Sequence, residues 1–555
     1  IESLARAAGL PARGRALNGH SLPEIYYDGA WHMFDASLIT YFRNAKGEVA
    51  SIDEIIEGVA AWYKDHPEMK GKQDLLTKFM KGGGWRKGPA VLANCDYYSE
   101  DGWFPAGTHG WRSPMSEFDG SVNYPYEYPY SEGYRVNIQL RDGEVLTRNW
   151  SNKGLHVDMD LAPPEWPLTS LDGKIGEGEF AYAAKFGDLS NGRIGNGTLT
   201  YDAPMANPLF AKSALAVENL TQTADGKLGS ALRVKTASAP GILIIRMPSP
   251  YVYLSGKLSA TFAVGSGGSV KVSLSRNNGV DWTEIYSKAA AGQFQEKIDL
   301  KPYVYRLYDY RLKFEFTGAG TGIDSLRIEH DIQQSQRALP ALGPGENVIT
   351  FSAAPAESTV TIEGFAKPAG QGNQMGVLDY HPVLDGVEVT DGGIALRKDG
   401  GTLTFPIETP GDMLRLRFGC SAVTAKDSDG WDLLASFDDG KTWKKAGSVK
   451  GSAQGITNYV TLADVPTATR KALVRFAGSG TTTIIDWRID ADYAQPNAGF
   501  RPVQITYVWQ EGSAEKRDVH VAKSPEETYK IVCSANADSK PVMKSLSVEL
   551  ADLKD

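Results

Sequence analysis

The stretch SRNNGVDWTEI, residues 275–285, has a second copy in SFDDGKTWKKA, residues 436–446, and this pair decides how the chain is read. Both take the form Ser-x-x-x-Gly-x-x-Trp. Each follows a short segment, VKVSL at 270–274 and WDLLA at 431–435, with the period-two character of a half-buried strand. Downstream, DSLRIEHD (324–331) and IDWRIDAD (485–492) share an Arg-Ile-acid core, and Trp282 to Arg327 and Trp443 to Arg488 are both 45 residues apart. Glycine-marked turns, TGAGTG at 317–322 and AGSGTT at 477–482, lie between. A repeat near 161 residues with these turns predicts two homologous β-sandwiches.

Working outward, 555 residues are too many for one core, so several domains are expected. The 59 glycines, 29 prolines and 56 aromatic residues fit many short strands joined by turns. The sequence has no apolar run of the ~18 residues that a membrane span needs. A formal net charge of -9 with no polybasic tract argues against a nucleic-acid partner. Cys95, Cys420 and Cys533 are far apart and in no metal or disulfide spacing. RALPALGPGENVITF (337–351) reads as a linker entering a strand, and VQITYVW, TYKIVCSA and KSLSVEL read as the strands of a small Ig-like or fibronectin-like module. The expected organisation is a multidomain, mainly β chain: an α+β unit at 1–115, an aromatic loop and hairpin connector at 116–200, sandwich repeats at 201–340 and 341–496, and the small module at 497–555.

The front of the chain carries the chemistry. Leu4, Ala5, Ala8 and Leu10 suit a short helix stopped by Gly9 and Pro11, and Leu22 to Phe34 reads as a hairpin turning at Asp28-Gly29. This order, with AAGLPAR at 7–13, His20, DGAW at 28–31 and Asp35 in FDAS, resembles the transglutaminase-like family of papain-type cysteine enzymes. The resemblance covers about the first 40 residues, or about 110 with the helical segment that follows. It implies that His20 is a base and Asp35 the acid that orients it, with a cysteine nucleophile at the start of a helix preceding Ile1. The chain accordingly reads as a piece of a longer, exported precursor. Ser21, Leu22 and Pro23 replace the family's usual aromatic and apolar residues after the histidine, and Glu24 is expected on the cleft-lining strand. Three readings of His20 and Asp35 stay open: a hydrogen-bonded pair that stabilises the hairpin, a catalytic pair, and a cleft reused for binding.

Further along, SIDEIIEGVAAW (51–62) predicts a packing helix with a Ser51–Glu54 capping box. The irregular 82–134 region offers Trp103, His109, Trp111, Arg112, Tyr126 and Tyr128 as a stacking platform for sugars or peptides, or as a covering loop. GGGW lacks the ending of a phosphate loop. Asn149, Asn196 and Asn219 stand in glycosylation patterns. The tryptophan hairpins resemble the Asp-box, a structural turn of sialidases and other extracellular β proteins. Asp427, Asp429 and Asp432 could ligate Ca²⁺ or form a solvated turn; no other cofactor is indicated. The functional expectation is a secreted or cell-surface protein that binds a glycan or a protein partner and carries an incomplete transglutaminase-like site. The alternatives are a cysteine-dependent acyl transferase or protease whose thiol lies upstream of Ile1, and a polysaccharide-active lyase or hydrolase.

Overall fold

The computed structural model describes residues 1–7, 9–35, 41–81, 87–93, 112–126, 138–150, 182–183, 187–188, 195–205, 207, 210–225, 229–334, 339–370, 375–451, 456–495, 499–536 and 540–551. At the front, helix α1 (Glu2–Ala7) precedes strands β1 (Ala12–Leu17), β2 (His20–Tyr27) and β3 (Ala30–Met33), and β4 (Asn123–Tyr126) returns to complete a four-stranded sheet in the order β3-β2-β1-β4. Asp28 and Gly29 both have positive φ, as the tight turn between β2 and β3 requires. Helix α2 (Ile52–Asp65) has the expected capping box, with Ser51 and Glu54 bonding each other's backbone amides. Its buried face of Ile52, Ile55, Val59 and Trp62 meets Leu17, Leu22 and Met33 from the sheet in one apolar core.

The two tryptophan hairpins occupy the same place in two sheets of the same order. In the first repeat the five strands run 283–288, 269–275, 309–317, 241–248, 216–218; in the second, 444–450, 430–436, 471–479, 402–408, 383–385. Each packs on a partner sheet around a separate core, one holding Phe262, Tyr310 and Phe314, the other Trp431, Phe405 and Trp487. The two turns share their central hydrogen bonds. Ser275 Oγ accepts from Gly279 N at 2.8 Å and Ser436 Oγ from Gly440 N at 2.9 Å. Asn277 Oδ1 accepts from Asp281 N and Asp438 Oδ1 from Thr442 N, both at 2.9 Å. Gly279 and Gly440 have φ of +87° and +84°, which a side chain would strain. A cation lies over each tryptophan, Lys313 at 4.8 Å from Trp282 and Arg475 at 3.7 Å from Trp443.

The structure differs from the expected segment limits at several points, beginning with Asn123–Tyr126, expected in the connector, which pairs with Ala12–Leu17 of the front sheet. Gly197–Asp202, expected largely in the connector, pairs with Gly322–Gln333 and so belongs to the first sandwich. Gly345–Ser352, expected in the second repeat, pairs with Glu526–Cys533 and shares the C-terminal core with Tyr507, Trp509 and Leu546. Strand Glu144–Asn149 sits between Gly197–Asp202 and Val542–Leu550, which makes one continuous sheet of the first sandwich and the C-terminal module. A strand settles where its backbone donors and acceptors find partners, and in most of these pairings the partners lie more than a hundred residues away in the chain.

The sandwiches also bond to each other. Buried Arg246 donates to Asp309 Oδ2 at 2.7 Å within its own domain, and to Tyr493 Oη at 2.9 Å and the Thr359 carbonyl at 2.6 Å across the junction. Asn277 and Asn278, in the turn of the first tryptophan hairpin, donate to the carbonyls of Asp379 and Thr361, both at 2.8 Å. Two of the glycosylation-pattern asparagines are likewise engaged: Asn196 is buried and bonds both the amide and the carbonyl of Gln334, and Asn219 bonds the Thr236 and Ala239 carbonyls. Among the described residues no helix is long and apolar enough to cross a membrane.

Candidate functional site

His20 opens β2, and Asp35 follows the end of β3 by two residues, so the hairpin returns the acid beside the imidazole. His20 Nε2 and Asp35 Oδ2 are 3.1 Å apart; the carboxylate is wholly buried and the imidazole one-fifth exposed. Burial works against the imidazolium. The hydrogen bond and charge of Asp35, with Glu117 adding, outweigh it and hold the His20 pKa above its ordinary 6.5. Glu117 closes α3 (Arg112–Glu117), and no motif in the sequence pointed to it. Helix α1 packs on β1 and β2. With Nε2 committed to Asp35, the atom of the ring that would exchange a proton with a nucleophile is Nδ1.

Glu24 has a different place from the expected one. It is fully buried beneath α2 rather than lining a cleft. Its Oε2 receives Arg13 Nε at 2.8 Å and Arg15 Nη1 at 2.9 Å, and its Oε1 receives the backbone N–H of Ile52 at the first turn of α2 at 2.8 Å. Arg15 continues to Asp53 at 2.7 Å. Asp53 is held below its ordinary range, first by the Arg15 hydrogen bond. The group joins β1, β2 and the N-terminus of α2, where a carboxylate is favoured by unpaired amides and the helix dipole. The reason for the difference is the alternation of β2: Leu22 and Glu24 share its helix-covered face, and two arginines on β1 make the buried charge tenable.

Of the proposed stacking platform, Trp103, His109, Trp111 and Tyr128 lie outside the described residues, and of Arg112 and Tyr126 the backbone alone is described, in α3 and β4. The three aspartates near the second hairpin do not converge on a cation site. Asp429 accepts from the Thr481 amide at 3.1 Å, while Asp432 faces Lys445 at 2.7 Å and Lys450 at 3.8 Å. Among the described residues no group of three acidic, histidine or cysteine side chains is placed to hold a metal. The two lysines compensate the charge of Asp432.

No known family matches the chain, and no curated protein matches it. Among solved structures it is similar to a xanthan lyase from Paenibacillus, at 10% identity over 50% of this chain and 25% of that one, with a TM-score of 0.16. It is also similar to the tandem CBM22-1-CBM22-2 domain of Xyn10C from Paenibacillus barcinonensis, at 11% identity over 49% of this chain and 90% of that one, TM-score 0.18. The glycoside hydrolase domain of Endo-D from Streptococcus pneumoniae R6 gives 16%, 48% and 36%, with 0.15. The chain thus spans about a quarter of the xanthan lyase and about a third of the Endo-D domain. Superpositions this loose establish no common fold, so function rests on the chain's own geometry.

Proposed function

We propose that this protein is a secreted or cell-surface enzyme of the transglutaminase-like kind, in which His20 and Asp35 activate a thiol for attack on an acyl carbon, carried on a β-sandwich tandem that engages a glycan or protein. The observation that supports it is the 3.1 Å contact between the His20 ring and a wholly buried carboxylate. In such a site Asp35 fixes the ring's tautomer, Nδ1 takes the thiol proton, and the resulting imidazolium and thiolate stabilise each other. An imidazole with a raised pKa suits that ion pair. The thiol addresses the amide or ester carbonyl, the acyl group passes to sulfur, and the proton on Nδ1 leaves with the departing amine or alcohol; an incoming nucleophile reverses the sequence.

Cys420 and Cys533 do not serve: both are buried in β cores, and burial raises both thiols above their ordinary range. Cys95 is outside the described residues. The test is the rate of iodoacetamide labelling, cysteine by cysteine, on the full-length protein and on His20→Ala. One thiol is expected to react at pH 6–7, well below the ordinary thiol pKa of about 8.5, and to lose that reactivity in the variant. If no cysteine responds to His20, the pair is a strut of the hairpin. The second reading, binding without covalent chemistry, then stands; it is favoured by a half-open cavity of about 360 Å³ where the two sandwiches meet.

A further inference from the structure

The junction of the two sandwiches forms a half-open cavity of about 360 Å³, at the lower end of the roughly 300–1,000 Å³ typical of small-molecule sites. One wall is the turn of the first tryptophan hairpin, Asn277 to Val280; the other is formed by Tyr380 and by strands 402–408 and 471–479 of the second sandwich. Arg311 lines it from strand Asp309–Thr317. Its Nε is buried and has no hydrogen-bond partner.

The duplication shows that packing does not require an arginine there. By strand register Ser275 faces Arg311 in the first repeat and Ser436 faces Leu473 in the second. Each of these side chains rests against the left-handed glycine of its hairpin. A Cβ built on Gly279 would meet Arg311 Nη1 at 3.2 Å, and one on Gly440 would meet Leu473 Cδ1 at 3.4 Å. The same niche is thus filled once by a leucine and once by a guanidinium that faces the cavity.

The charges around it leave Arg311 uncompensated. Asp309, two residues before it, gives Oδ2 to Arg246, which is itself held by Tyr493 and Thr359, and Asp309 Oδ1 has no partner. Glu408 pairs with Lys471 at 3.5 Å on the exposed rim, and Asp439 is exposed on the second hairpin. Two guanidiniums therefore share one inner carboxylate. Arg311 is half-buried, and withdrawing its guanidinium from water without an anion is unfavourable. A planar carboxylate suits the guanidinium fork best, through two parallel hydrogen bonds. Of the remaining lining, Asn278 and Tyr380 give their donors to the Thr361 and Glu363 carbonyls, which leaves Asn278 Oδ1 and Tyr380 Oη as acceptors beside apolar Val360 and Ile362; acceptors next to an apolar wall suit the hydroxyl groups of a compact ring.

We propose that the cavity between the sandwiches binds a small carboxylate-bearing polyol, of the size and chemistry of one sugar-acid residue, with Arg311 as its anchor. The site does not depend on the His20–Asp35 chemistry, and His20→Ala protein is expected to bind as the wild type does.

The test is calorimetric titration of the full chain with glucuronate, with glucose and sulfate as controls, on the wild type, Arg311→Leu and Arg311→Lys. Leu is the residue the second repeat uses at this position, so the variant is expected to fold; unchanged thermal unfolding checks this. Wild type is expected to bind glucuronate and not glucose. Arg311→Leu is expected to weaken binding by at least about tenfold, as loss of a charge-assisted pair does. Arg311→Lys, which keeps the charge and loses the fork, is expected to fall between. Absence of glucuronate binding, or equal affinity in a folded Arg311→Leu protein, overturns the proposal. Tighter binding of sulfate than of glucuronate overturns the carboxylate assignment.

Discussion

Acidification should destabilise the first sandwich through one residue, His330. The ring is buried between Tyr253, centroid to centroid 4.1 Å, and Tyr310, whose hydroxyl lies 2.9 Å from Nε2; Nδ1 is 2.7 Å from the Ser255 carbonyl. A carbonyl only accepts, so Nδ1 carries the proton, and Nε2 accepts from the tyrosine. Protonating Nε2 would turn that acceptor into a donor and place a charge in an apolar core. Burial accordingly depresses the His330 pKa from 6.5 to about 4. The unfolded chain, with the higher pKa, binds the proton more readily. The contribution is therefore intact above pH 6.5 and is lost as pH falls towards 4: about 2 kcal/mol gone at pH 5 and about 3 kcal/mol at pH 4.

The readout is hydrogen exchange of peptides from strands 309–317 and 322–333, measured from pH 7 to pH 4 and corrected for the intrinsic rate, in wild type and in His330→Phe. Phenylalanine removes the titration but leaves the Tyr310 hydroxyl and Ser255 carbonyl unpaired, so the variant should be less stable at pH 7 and show a flatter decline below it. Carboxylates elsewhere titrate equally in both proteins and cancel in the comparison. Parallel pH dependences in the two proteins would refute the assignment.

Two further outcomes follow from the geometry. Glu24→Ala leaves Arg15 buried without its inner carboxylate and the α2 amide of Ile52 without its acceptor; loss of one partner of such a pair costs about 3–5 kcal/mol. Proteolysis should then cut within β1 to α2 while the sandwiches stay intact, and unchanged resistance would show that the cluster is dispensable. Gly440→Ala meets ordinary contacts only, at 3.4 Å and beyond, so its cost comes from the backbone at φ +84° and should be about 1 kcal/mol. A chemical-denaturation series on the second sandwich measures it, and a neutral substitution would mean the turn relaxes.

The sequence by itself determined what short-range pattern determines. Alternation placed strands on either side of both tryptophan hairpins, and Ser436, Asp438 and Gly440 prescribed their own turn because each bonds within four residues. Ser51 and Glu54 announced the start of α2 in the same local way. His20 and Asp35 were legible as a pair because one hairpin joins them. Docking over long separations decided the rest. Glu24 became a buried hub because Arg13, Arg15 and Ile52 converge on it. Gly345–Ser352 left the repeat it adjoins because its free edge is completed by Glu526–Cys533. Arg311 reads in the sequence as one more charged residue of an alternating strand; the arrival of the second sandwich makes it the wall of a cavity. Whether such a charge is solvated or enclosed is a property of the packed surfaces, which no local pattern specifies.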